Sequence, residues 1–211
     1  MADALTIAIF PEPVPYERGL GIQHATEPDT LLLLEHEPVY TRGRRTKPEE
    51  LPMGEDWYRA QGIEICDADR GGAVTYHGPG QLVGYPIMRI GGVHEYVANL
   101  ERVLIAALAD QGVEAEVRDG LTGVWAPKGK IGSIGVHVSR GVTTHGFAVN
   151  VDNDLQPFEW VVPCGMEGAQ MSSICKEVGE SGRMDAFRES IIARFCEVFD
   201  REPHVVVSTV G

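Results

Sequence analysis

The chain has 211 residues, 43% hydrophobic and 23% charged, the balance of a globular protein long enough for one sizeable domain. Its 31 acidic against 18 basic side chains give a formal net charge of −13, which repels a phosphate backbone and argues against general nucleic-acid binding. Four cysteines without a C-x-x-C pair predict reduced thiols, and the start MADALTIAIFPEPVP has no basic region of a signal peptide, so the expectation is a cytoplasmic protein with no membrane span.

In chain order, apolar runs predict strands at Leu5–Phe10 and Leu31–Glu35, with a helix over Tyr16–Ala25 that Gly19 and Gly21 weaken. The segment RGRRTK holds Arg42, Arg44, Arg45 and Lys47. It reads either as a solvated loop or as a dock for an acidic partner. Thr46–Asp56 reads as a polar surface loop. Arg70–Pro86, RGGAVTYHGPGQLVGYP, has glycines that permit close backbone approach, and reads either as a tight structural bend or as a binding surface.

The strongest helical pattern is Glu95–Gln111, with Val97, Leu100, Leu104, Ala107 and Leu108 on one face and Gly112 at its end. Strands follow at Thr122–Ala126, Lys130–Ser139 and Val142–Val151, the last two joined at Arg140-Gly141 as a hairpin. A second helix runs over Met184–Phe199 with Asp185 as its N-cap. Strands in the middle and helices on the flanks predict a single α+β domain over residues 1–211. Its sheet is expected to be mixed and largely antiparallel, with helices packed on it.

The chemistry is narrowed first by exclusion. Gly78, Gly80 and Gly84 have the wrong spacing for a dinucleotide fingerprint, and in PKGKIGSIG Ile131 stands where a phosphate loop needs Ser or Thr. The seven histidines show no zinc spacing, so no metal is expected, and no G-x-S-x-G elbow offers a serine. In VVPCGM, Cys164 sits on a Pro-Cys-Gly turn. A lone cysteine is ordinarily inert filling, but turns carry function more often than cores do. A nucleophilic thiol needs a base or cation beside it, and Lys130, His77, His137 and His145 are candidates that the sequence does not separate. A lysine opening a strand is ordinarily a solvated edge residue. Lys128 is the rival of Lys130, because two residues apart on a strand both would face one side.

Taken together, LLLLEHEPVYT at Leu31–Thr41, RGGAVTYHGPGQLVGYP at Arg70–Pro86, KIGSIG at Lys130–Gly135, THGFAVNV at Thr144–Val151 and VPCG at Val162–Gly165 resemble the lipoyl(octanoyl) transferases of lipoate biosynthesis. The Pro15-Tyr16 start of the first helix and Gly43-Arg44 fit the same pattern. The resemblance implies a fold like the biotin and lipoate protein ligases (the class II aminoacyl-tRNA synthetase/biotin synthetase-like fold) and transfer of an octanoyl group from acyl carrier protein. The acceptor is a lysine on lipoyl domains of 2-oxo acid dehydrogenases or on the glycine-cleavage carrier protein, with no ATP and no cofactor.

Within that resemblance Cys164 matches the acyl-carrying nucleophile and Lys130 its partner, which lowers the thiol pKa and serves as acid and base. The acyl wall falls on Arg70, Gly71, Gly72, Ala73, Val74, Thr75, Tyr76 and His77, on Ser133, Ile134 and Gly135, and on Gly146, Phe147 and Ala148. Gly132 where the family commonly has alanine, and Ser172-Ser173 where it usually has Thr-Ser, are departures. An amidotransferase acting between carrier proteins, an ATP-dependent ligase and a catalytically dead carrier-binding protein are the competing readings.

Overall fold

The computed structural model describes residues 2–162 and 170–208. In chain order these form β1 (Asp3–Ile9), α1 (Tyr16–Ala25), β2 (Thr30–Leu34), β3 (Val39–Arg42), a 3-10 turn at Pro48–Glu50, α2 (Glu55–Ala60), β4 (Glu64–Asp67), β5 (Val74–His77) and β6 (Gln81–Ile87). There follow α3 (Val93–Asp110), β7 (Glu116–Arg118), β8 (Leu121–Ala126), β9 (Gly129–Ser139), β10 (Val142–Asn150), α4 (Gln156–Glu159), α5 (Ile174–Val178), α6 (Met184–Phe199) and β11 (Arg201–Val207).

Eight strands make one sheet in the order β11-β1-β2-β6-β10-β9-β8-β7, and β4-β3-β5 make a small second sheet. In the large sheet β1 runs parallel to both its neighbours, whereas every pairing from β2 to β7 is antiparallel. The expected mixed, largely antiparallel sheet is therefore present. β2, TLLLL, is buried along its whole length, which is why it reads as an unbroken apolar run rather than an alternating one.

The apolar stripe of α3 (Leu100, Leu104, Ala107, Leu108) meets Phe187, Ile191 and Phe195 of α6 over one face of the large sheet. On the opposite face Val14, Phe10, Leu32, Leu34, Val83, Tyr85 and Ala148 form a second, smaller core. A third, aromatic core of Tyr40, Tyr58, Tyr76 and Phe158 lies at the small sheet. Among the described residues no helix is long and apolar enough to cross a membrane.

Three local expectations are corrected. Asp185 is not the N-cap of α6; Arg183 holds that position, and Asp185 sits in the first turn paired with Arg188 at 2.6 Å, where a carboxylate favours the helix dipole. Thr46–Asp56 is not only surface, since Glu50 is buried and its Oε2 accepts the Val74 amide at 3.1 Å. Arg70–Pro86 is not one bend. It opens as a loop and then supplies β5 and β6, with Gly80 (φ 85°) turning the chain between them.

Candidate active site

A cavity of about 560 Å³ opens on the sheet face away from α3 and α6. Its wall comes from the segments singled out in the sequence: Arg70–Thr75 and His77, Ser133–Gly135 and Gly146–Ala148, with Lys130. Tyr76 is the exception. Alternation along β5 turns it to the aromatic core, where its ring meets Tyr40 and Phe158 at centroid distances of 5.6 and 5.5 Å.

Lys130 is 6% exposed, so the solvated-edge expectation is corrected. The cause is a register shift between β8 and β9: Val124 pairs with Gly132 but Trp125 pairs with Lys130, so Ile131 is an extra residue. Gly132 and Ile131 both meet the helix-side core, and Lys130 is turned the other way, into the cavity. Its path crosses Gly123, whose φ of 114° and bare Cα make the channel. A Cβ there would lie 2.4 Å from the Gly132 oxygen and 3.0 Å from Lys130 Cε.

The Lys130 ammonium lies 5.8 Å from the Trp125 ring centroid, and the Arg118 guanidinium lies 4.6 Å from the same ring. Burial pulls the Lys130 pKa down to about 8. Lys128 lies in the β8–β9 turn rather than on a strand. Its exposed Nζ donates to the Lys176 and Glu177 carbonyls at 2.5 and 3.2 Å, at the end of α5, and it is absent from the cavity wall.

The histidines separate as well. His77 Nδ1 donates to Gln81 Oε1 (2.7 Å), Gln81 Nε2 to Asn150 Oδ1 (2.9 Å), and Asn150 Nδ2 to the Ser172 carbonyl (2.9 Å). This chain fixes the His77 tautomer, and burial holds its pKa well below the usual histidine range. It ends beside Lys130, because the Ser172 amide donates to the Lys130 carbonyl at 2.8 Å and the Lys130 amide to the Gln170 carbonyl at 2.9 Å.

His145 carries φ 58° within β10. Phe147 and Val149 point into the helix-side core, and plain alternation would send His145 there too. The left-handed backbone brings its ring to Tyr85 instead, 6.1 Å between centroids, where Nε2 meets Asp69 Oδ1 at 2.6 Å. His137 is only half-buried, 3.6 Å from the other Asp69 oxygen.

Sequence reasoning missed Tyr16, His36 and Tyr85. His36 is fully buried, with Nδ1 donating to the Val14 carbonyl and Nε2 accepting from Tyr85 Oη, both at 2.7 Å. Burial lowers its pKa to about 4. The one local signal was Gly19, where a Cβ would stand 2.8 Å from His36 Cε1.

Of the basic segment, Arg42 is held by Glu55 (2.6 Å) and Asp67 (2.7 Å), while Arg44, Arg45 and Lys47 are exposed and the last two reach the cavity wall. Cys164 lies outside the described residues. Among the described residues no group of three or more His, Cys, Asp or Glu is placed to hold a metal ion.

The architecture is shared with solved ligases. The putative lipoate protein ligase of T. acidophilum matches with a TM-score of 0.75 at 16% identity, over 99% of this chain and 90% of that one. The biotin protein ligase of Aquifex aeolicus matches at 0.58 and 11% identity, over 95% and 70%. The chain thus has the fold of the lipoate and biotin protein ligases. Residues 16–196 match the lipoyl protein ligase A/B catalytic domain. The octanoyltransferase of Koribacter versatilis is 44% identical over 82% of this chain and 73% of its own length, and that of Mycobacterium ulcerans 46% over 82% and 76%. The chain belongs to the lipoyl protein ligase A/B catalytic domain family and, within it, is an acyltransferase of the octanoyltransferase type.

Proposed function

We propose that the cavity holds the octanoyl chain of a carrier-protein thioester and that Cys164 and Lys130 pass it to a protein lysine. The donor is an acyl carrier protein, and the acceptors are lipoyl domains and the glycine-cleavage carrier protein. Residues 1–211 act as one catalytic domain. The observation that carries this reading is Lys130 itself: a lysine buried in the wall of a glycine-lined cavity, its pKa drawn down to about 8, can hold or release a proton near neutrality.

The Cys164 thiolate attacks the thioester carbonyl. The carbon–sulfur bond to the donor breaks, the acyl-enzyme thioester forms, and the departing donor thiolate takes a proton from the Lys130 ammonium. Lys130 is then neutral. It accepts a proton from the acceptor amine as that nitrogen attacks the acyl-enzyme, and Cys164 leaves again as thiolate.

Intact mass spectrometry after incubation with octanoyl-carrier protein tests this. The wild type should gain one octanoyl group, released by a thiol reagent, and Cys164→Ser should gain no thiol-labile group. A wild type that never acylates sinks the mechanism. Lys130→Ala should load slowly near neutral pH and recover at higher pH if thiolate formation is its defect; no recovery assigns the loss to proton transfer.

A further inference from the structure

The cavity has two polar ends. Lys130 marks the first. Five residues further along β9, Gly135 pairs with Gly146 of β10, and a Cβ on Gly135 would lie 3.3 Å from Arg70 Cδ, so Arg70 marks the second. At strand rise the two ends are roughly 15 Å apart. An extended eight-carbon chain spans roughly 9 Å. The Lys130 side chain takes up roughly 6 Å of that distance, its Cε passing the Gly123 position on the side toward Gly135. A chain with its carbonyl at the ammonium therefore brings its last carbons to the end lined by Arg70, Tyr16 and Tyr85.

That end is not built for a methyl group. Tyr16 Oη and Arg70 Nε are both buried, and neither has a hydrogen-bond partner among the described residues. Arg70 spends Nη1 on the Gly71 and Ala73 carbonyls and Nη2 on the Thr41 carbonyl and hydroxyl, so its hydrogen-bond partners include no carboxylate. Tyr16 and Arg70 act on one another electrostatically across the same end of the cavity. Two donors without an acceptor, and a buried guanidinium whose hydrogen-bond partners are all neutral, are costly unless a ligand or an ordered water supplies the missing oxygen.

We propose that the inner end of the cavity is a subsite for an oxygen acceptor at the far end of the bound acyl group. Chains ending in a ketone or carboxylate at about the eighth carbon are then substrates beside the plain hydrocarbon. The inference rests on the reading that the acyl chain lies in this cavity with its carbonyl at Lys130.

The test loads the full-length protein with octanoyl-, 7-oxo-octanoyl- and 7-carboxyheptanoyl-carrier thioesters, singly and in competition, and follows acyl-enzyme mass for wild type and Tyr16→Phe. At least one oxygenated chain should load with kcat/KM about tenfold above octanoyl, the size expected for pairing a buried donor. In Tyr16→Phe, which leaves only the Arg70 donor, that ratio should fall by about threefold or more. The ratio is the readout, so a general loss of folding or activity does not imitate it. Octanoyl loading with no preference for either oxygenated chain overturns the subsite and leaves water as the partner of both donors. A preference unchanged by Tyr16→Phe also overturns it. If none of the three chains loads, the acyl reading of the cavity falls and this inference falls with it.

Discussion

Lys130 is kept at a cost in stability. Its pKa is about 8 in the folded chain against 10.5 for an ordinary lysine, so the unfolded chain holds the proton more tightly between those values. For a base whose folded pKa is depressed, the penalty is full below about pH 8, shrinks as pH rises to 10.5 and is gone above it. Lys130→Met should therefore stabilise the protein at pH 7 by up to about 3 kcal/mol, or roughly 5–10 °C in Tm, while abolishing transfer. Melting curves at pH 7 and pH 10.5 check the sign: the gain must shrink at the higher pH. A variant less stable than wild type at pH 7 means that other contacts of Lys130 outweigh its desolvation. Catalytically, single-turnover transfer from acyl-enzyme to an acceptor lysine should rise with pH through about 8, as Lys130 becomes a base.

At the scale of elements, the β8–β9 pair sets where Lys130 points. The extra residue Ile131 reverses the facing of the strand, and Gly123 leaves the gap through which the side chain passes. Gly123→Ala should destabilise the protein by about 2–4 kcal/mol and slow acyl-enzyme formation at least tenfold, because both the positive φ and the contact with the Gly132 oxygen are incompatible with a Cβ. Gly91, with open space around it and no left-handed backbone, is the control, and Gly91→Ala should change both by little. Equal effects from the two would show that the gap at Gly123 is unimportant. The same logic makes β10 more than a wall: the left-handed residue His145 turns one ring out of the helix-side core, against a backbone cost of about 1–2 kcal/mol.

For the whole molecule the relevant quantity is the contrast between a net charge of −13 and one exposed basic loop. That loop is pinned to the cavity wall, since the Arg44 and Arg45 amides donate to the Arg70 and Gly72 carbonyls at 3.1 and 3.0 Å. On the function proposed above, this loop is the place for an acidic carrier that the rest of the surface would repel. Arg44→Glu with Arg45→Glu should raise KM for the carrier-bound donor at least fivefold at low salt, with the difference narrowing as screening increases. A defect independent of salt would assign the loop a structural role. Arg42 is not part of this surface, because Glu55 and Asp67 already hold it.

How much of this was legible differs by feature, for physical reasons. Periodicity located α1, α3, α6 and the β9–β10 hairpin to within a residue or two, because one-sided burial imprints a period of 3.6 or 2 on the residues themselves. β11, which begins Arg-Glu-Pro-His, and the short strands β3 to β5 left no such imprint. Their pairing depends on β1 and on one another, partners distant in the chain. Motifs in fixed order singled out Lys130, the glycine-rich segments and Cys164 as candidates, and of these Lys130 and the glycine-rich segments line the cavity. They were silent on which lysine is buried, because Lys128 and Lys130 look alike until a bulge turns one inward and a turn leaves the other out. By itself the sequence determined the class of fold, the acidic surface and the residue types at the site. Only the tertiary structure decided that Tyr16, His36 and Tyr85 share the cavity side of the sheet with His145, and that Arg70 spends its charge on carbonyls. Burial and hydrogen-bond partners belong to the arrangement of distant segments rather than to any one of them.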